Sequence, residues 1–162
     1  MRIVECVPNI SEGRSPEVYN AVADAAAAVT GVELLDVDPG QETNRTVITF
    51  VGEPDAVLEG AFELVKKSYE LIDMTTHHGA HGRQGATDVC PFVPVSGVTM
   101  DDCVELARRL GKRVGEELGL PVFLYEYAAT RPERRSLADI RKGEYEALAE
   151  KLKTSEFTPD FG

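Results

Sequence analysis

Short β-branched runs alternate along this chain with longer stretches of helical period, and their order admits few folds. Ile3 to Val7 reads as a strand that ends at Pro8, with a polar turn over Asn9 to Arg14. Ser15 followed by Pro16 places an N-cap and an N1 proline ahead of an alanine-rich helix that stops at Thr30-Gly31. Val32 to Val37 and Thr46 to Val51 are strand-like and pair as a hairpin, with Asp38-Pro39-Gly40 turning the chain between them. Val57, Leu58, Phe62, Val65, Tyr69 and Ile72 keep a helical period from about Asp55 to Ile72. Val89 to Val95 is a further strand, which Pro91 and Pro94 mark as an edge or bulged one. Thr99 or Asp101 caps a third helix with Cys103, Leu106, Leu110, Val114 and Leu118 on one face, and Gly119-Leu120-Pro121 ends it. Val122 to Tyr125 reads as a last strand, and a charged tail carries a helix over Tyr145 to Lys153.

The order is thus β-α-β-β-α-β-α-β. Its first six elements spell the split β-α-β, ferredoxin-like arrangement, an α/β (α+β) fold with helices on one face of a mostly antiparallel sheet. At 162 residues the chain holds one domain's worth of sequence and enough to bury a core.

Charge narrows the partners. With 17 basic and 28 acidic residues the net charge is −11, which argues against nucleic acid or an anionic membrane, both of which need a basic face. No apolar run approaches the roughly 20 residues that span a bilayer, and Met1 leads directly into a strand. A soluble, cytoplasmic protein is expected. Cys6, Cys90 and Cys103 are too far apart for a CxxC motif, so each reads as a small apolar residue.

All three histidines lie in one stretch, His77-His78-Gly79-Ala80-His81-Gly82-Arg83-Gln84-Gly85-Ala86-Thr87-Asp88. Its glycine density rules out a helix and disfavours a strand, which leaves a long loop between well-patterned elements. Glycines let backbone approach a ligand, and histidine titrates near neutrality, so acid–base use of at least one ring is favoured over burial of three. Metal binding is the rival use. His77 and His81 are four apart, but that spacing aligns two rings only on a helix, which Gly79 opposes. Asp36 and Asp38 alternate with apolar residues and so share a face, although a solvated strand end or a turn aspartate explains either one. Asn9, Ser11, Asn44 and Arg45 read equally well as turn chemistry.

Several of these segments together resemble the glutamate formiminotransferases, including the formiminotransferase half of formiminotransferase-cyclodeaminase. They are Val4-Glu5-Cys6-Val7-Pro8-Asn9-Ile10-Ser11-Glu12-Gly13, Leu34-Leu35-Asp36-Val37-Asp38 with Thr43-Asn44-Arg45-Thr46-Val47, Asp88-Val89-Cys90-Pro91-Phe92-Val93-Pro94-Val95, and the ending Pro159-Asp160-Phe161-Gly162. The resemblance covers essentially the whole chain, residues 1–162, as the family's N-terminal subdomain, and the C-terminal subdomain is absent from this chain. It implies transfer of a formimino group from N-formimino-L-glutamate to N5 of tetrahydrofolate, a one-carbon step of histidine catabolism with folate as co-substrate and no metal. It also implies a groove between two similar subdomains. The family's catalytic histidine falls on His81 and its assisting aspartate on Asp38. The same transfer makes Asn9, Ser11, Asn44, Arg45 and Arg83 the substrate-binding residues, the arginines for the glutamate carboxylates.

Two departures from the family pattern stand out. Gly82 replaces the usual proline, which implies a looser loop, and one wall of the groove must come from elsewhere. The expected partner is a C-terminal subdomain or a second copy of this chain. The alternative is a non-catalytic homologue that binds folate or a protein.

Overall fold

The computed structural model describes residues 1–162. Four strand lines form one antiparallel sheet. The first line is β1 (Ile3–Cys6) continued by β2 (Asn9–Ile10), the second β3 (Glu33–Gly40), the third β4 (Arg45–Gly52), and the fourth β5 (Thr87–Val89) continued by β6 (Phe92–Ser96). β4 pairs β1, β2 and β3, and the first line also pairs β5 and β6, so the lines lie in the order second, third, first, fourth. This is the ferredoxin-like order expected from the sequence.

Three helices cover one face: α1 (Pro16–Ala27), α2 (Pro54–Leu71) and α3 (Met100–Leu118). Val4, Cys6, Ile10, Ile48, Phe50 and Phe92 point into the helices, where Val22, Leu64 and Leu110 belong to the same buried cluster. Thr99 starts α3 with a reciprocal box, accepting from Asp102 N at 3.1 Å while Asp102 Oδ2 accepts from Thr99 N at 2.9 Å. Gly119 ends it in the left-handed region, φ 67°. No helix is long and apolar enough to cross a membrane.

Four readings from sequence need correction. Asn9 and Ile10 are not turn residues, because the strand resumes beyond Pro8, whose carbonyl still accepts from Ile48 N at 3.0 Å. Asp38-Pro39-Gly40 does not turn the chain: β3 stays paired through Gly40, opposite Arg45, and the connection is the short segment after it. Val122 to Tyr125 is not a strand. Only Val122 bridges, to Phe161, because Pro121 has no N–H and Leu124 N donates to the Asp160 side chain at 2.8 Å. The tail has two helices where one was expected, α4 (Leu137–Arg141) and α5 (Glu144–Lys151), parted by Gly143 at φ 84°.

Candidate functional site

The site lies on the face of the sheet that the helices leave open. Thr46 and Ile48 are buried toward the helices, so Arg45, Val47 and Thr49, which alternate with them, point the other way. Val47 is paired with Asp38 on one side and Asn9 on the other, and Asn9 is paired with Val89. Asp38, Val47, Asn9 and Val89 therefore form one row across the open face, with Asp38 and Asn9 two strand spacings, or about 10 Å, apart. Asp36 lies opposite Thr49 on the same face. Asp38 is exposed, and Asn9 Nδ2 donates to Val7 O at 3.3 Å.

The histidine loop folds over the end of this face and is tied to its neighbours by backbone bonds. Ala80 N donates to Glu42 O at 3.0 Å, and Ser11 N to Ala86 O at 2.9 Å. Close approach needs glycine at two places: a Cβ on Gly79 would stand 2.2 Å from Thr43 O, and one on Gly13 would stand 2.3 Å from Gly40 O.

The three rings have different fates. His77 is buried, 5% exposed, and both nitrogens are used: Nδ1 accepts from Arg83 Nε at 2.8 Å and Nε2 donates to Asn44 O at 2.8 Å. It has no lone pair left for a metal. His78 and His81 are exposed. His81 Nδ1 lies 2.6 Å from the carbonyl of Gly82, and because a carbonyl only accepts, Nδ1 is the donor, which in the neutral ring leaves the lone pair on Nε2. No hydrogen bond joins His81 to Asp38, so the acceptor that holds the ring is a backbone carbonyl and not the expected aspartate.

Three residues expected to contact substrate have partners within the protein. Arg83 is buried and its five N–H groups are all taken, by His77 Nδ1, His77 O, Glu144 and both oxygens of Glu146. Asn44, at φ 51°, uses Oδ1 for Gly13 N at 2.9 Å and Nδ2 for His78 O at 3.1 Å. Ser11 Oγ donates to Gly85 O at 2.7 Å from a fully buried position. These three hold loops together. Arg45 differs. Its Nη1 donates to Gly82 O at 3.0 Å and Asp88 Oδ2 at 2.8 Å, while Nε and Nη2 take no protein partner and are not sealed from solvent.

Sequence reasoning missed Asp88 and the tail residues Arg141, Glu144 and Glu146. Asp88 has a side chain only 1% exposed, in ion pairs with Arg45 and Arg141. The signal available was an acid directly before an apolar run, a place where a charge needs a partner. Glu146 reaches Arg83 at 2.7 Å, and that hydrogen bond holds its carboxyl down to about 2. Cys6 Sγ lies 3.7 Å from Cys90 Sγ, and burial pushes the Cys6 thiol well up, which keeps it protonated and inert.

Comparison with known families settles the kinship. The model of the formiminotransferase domain, N-terminal subdomain, matches residues 3–162. The chain belongs to this family. Over 161 residues it is 58% identical to the formimidoyltransferase-cyclodeaminase of Sus scrofa and 49% identical to the glutamate formimidoyltransferase of Streptococcus pyogenes serotype M1. Identity is 51% over 164 residues with the glutamate formimidoyltransferase of Thermoplasma acidophilum. These alignments take in 99% to 100% of this chain but only 30% of the Sus scrofa relative and 54% of the other two. The chain is thus the N-terminal subdomain of a transferase family and spans about half, or less, of its relatives' length.

Proposed function

We propose that this chain supplies the acid–base half of a glutamate formimidoyltransferase site, moving a formimino group from N-formimino-L-glutamate to N5 of tetrahydrofolate. The observation that carries the reading is the state of His81, whose Nδ1–H is held by Gly82 while its exposed Nε2 keeps a lone pair. N5 of the folate attacks the amidine carbon and forms a C–N bond, and Nε2 takes the N5 proton. The tetrahedral intermediate then breaks its bond to the glutamate nitrogen, which receives the proton from His81 and leaves as glutamate. Asp38, exposed on the same open face, suits the cationic amidinium, where an oxyanion hole would not. The free edge of Arg45, Nε and Nη2, suits a glutamate carboxylate, and Asn9 lines the floor between them.

Tetrahydrofolate is the co-substrate in this reading, and the opposite wall comes from a C-terminal subdomain or a second copy. Leu35, Val93 and Val95 support a partner, because each is a large apolar side chain left exposed on a strand of this sheet.

The test is a formimino-transfer assay on the purified chain beside His81→Ala, with the solution mass measured and a C-terminal subdomain added in turn. Loss of about 10²- to 10⁴-fold on removing the ring is expected wherever wild type is active. Activity in a dimer means that two copies complete the site, and activity only on addition means that the other subdomain does. Silence under both conditions sinks the catalytic reading.

A further inference from the structure

Asp38 makes no hydrogen bond to His81, so another group must fix the ring in the form that can accept a proton. We propose that Asp88 is the positioning residue for His81, acting through Arg45 and the carbonyl of Gly82, with Arg141 of the C-terminal segment completing the assembly. The proposal rests on His81 as the acid–base group.

The Gly82 carbonyl has two lone pairs, and both are used. One accepts His81 Nδ1–H at 2.6 Å and the other accepts Arg45 Nη1 at 3.0 Å. That carbonyl is free to swing unless something holds it, since glycine constrains its backbone least. Arg45 is the clamp, and Asp88 fixes the clamp: Oδ2 accepts from Arg45 Nη1 at 2.8 Å and from Arg141 Nη2 at 2.6 Å. The other oxygen, Oδ1, accepts from the backbone N–H of Gln84 and Gly85, the residues that follow Gly82-Arg83. One carboxylate therefore holds the guanidinium that grips the carbonyl and the backbone just downstream of it.

Chemistry makes the arrangement matter beyond stability. A histidine ring without an acceptor at Nδ1 favours the Nε2–H form in water, and in that form Nε2 donates and cannot take the N5 proton. Nothing else in the structure meets either nitrogen of His81. The correct tautomer is thus set by a carbonyl whose direction depends on a salt bridge two steps away. An orienting carboxylate is present, as in other histidine–acid pairs, but it works at a distance through an arginine and a peptide group. Arg141 brings the tail into the same assembly, so α4 is part of what orders the loop.

The test needs no catalytic activity. The 162-residue chain is labelled with ¹⁵N-histidine, and ring-nitrogen shifts are read at a pH where the imidazoles are neutral, for wild type, Asp88→Asn and Arg45→Gln. The expected result is Nδ1–H at His81 in wild type and a shift toward Nε2–H in both variants. His77 should stay Nε2–H throughout, because its bonds to Asn44 and Arg83 are untouched, and it reports that the loop is still folded. Should Asp88→Asn fail to fold, Arg45→Gln decides alone, since it cuts the link to Gly82 and keeps the Asp88–Arg141 pair. An unchanged His81 tautomer beside an intact His77 signal overturns the proposal, as does Nε2–H at His81 in wild type. A transfer assay under the complementing conditions adds the kinetic signature: Asp88→Asn lowers kcat by about 10- to 100-fold, in addition to any rise in KM from a loosened Arg45. An unchanged kcat in that assay overturns the proposal. A fully active His81→Ala sinks the acid–base reading instead, and leaves the tautomer result standing.

Discussion

Replacing Gly79 by alanine isolates the contact between the histidine loop and the connection after β3. The residue is outside the left-handed region, so alanine is conformationally allowed and only the steric contact changes. Its Cβ would sit 2.2 Å from Thr43 O, 2.7 Å from Thr43 C and 3.0 Å from Asn44 Cβ. Carbon–oxygen contacts settle at about 3.3 Å, so the loop must lift by about 1 Å. Of the hydrogen bonds that cross that seam, the two that flank Gly79, Ala80 N to Glu42 O at 3.0 Å and Asn44 Nδ2 to His78 O at 3.1 Å, break under such a shift. At about 0.5–1.5 kcal/mol each the loss is about 1–3 kcal/mol. The lower entropy of the unfolded alanine chain offsets about 0.4–1 kcal/mol of it. A net destabilisation of about 1–2 kcal/mol lowers the urea midpoint by about 0.5–1 M. Gly85→Ala is the control, because its Cβ meets nothing nearer than Thr87 O at 3.6 Å and its φ is also outside the left-handed region. Equal midpoints for Gly79→Ala and the control would refute the seam as described.

Gly82→Pro is expected to stabilise by about 0.4–1 kcal/mol, read as a higher melting midpoint. Its N–H makes no hydrogen bond, its nearest new contact is Arg141 Cδ at 3.5 Å, and proline keeps the carbonyl that binds His81. A lower midpoint would mean that the loop needs the freedom of glycine. Acid should release the tail. Arg83 holds the Glu146 carboxyl at about 2, below the usual 4.5, so the contribution of that contact is present above about pH 4.5 and is lost as pH falls toward 2. With 62% of that side chain exposed, salt should weaken the effect as well. The hydrogen-exchange protection factor at Tyr145 N, which donates to Arg83 O, should fall over that range in wild type and be low already in Glu146→Gln. A protection factor that stays constant as pH falls would sink the idea.

Periodicity made the fold legible because each helix stripe and strand alternation exceeded its local noise. Val57, Phe62 and Val65 announced α2, and the pairing of β3 with β4 followed from two runs and a break. What failed were places where a partner decides the conformation. Asp38-Pro39-Gly40 has turn chemistry, yet pairing with Arg45 to Val47 holds it in a strand. Val122 to Tyr125 has strand chemistry, yet Asp160 takes the N–H that a neighbouring strand would need. In the site, glycine density correctly marked the loop, and alternation placed Asp38 on a shared face with Asp36. The difference between His77 and His81 was not legible, because it depends on Arg83 reaching one ring and not the other. Arg83 looked like a free cation for the same reason: its acids, Glu144 and Glu146, lie 61 and 63 residues away along the chain.

The two proline interruptions sit side by side. Val7 N donates to Pro91 O at 3.2 Å, so the first and fourth strand lines break at the same level. On one side of that seam, Val4, Cys6 and Phe92 are sunk in the helix-covered core. On the other, Asn9 and Val89 lie in the row that leads to Asp38. Beyond the seam the strands still send Ile10 into that core, while Asn9 and Val89, alternating with it, face the open side. Variation should sort the same way: changes at Val4, Cys6, Ile10 and Phe92 register as lost folding, and changes at Asn9 and Val89 register as altered chemistry in a protein that still folds.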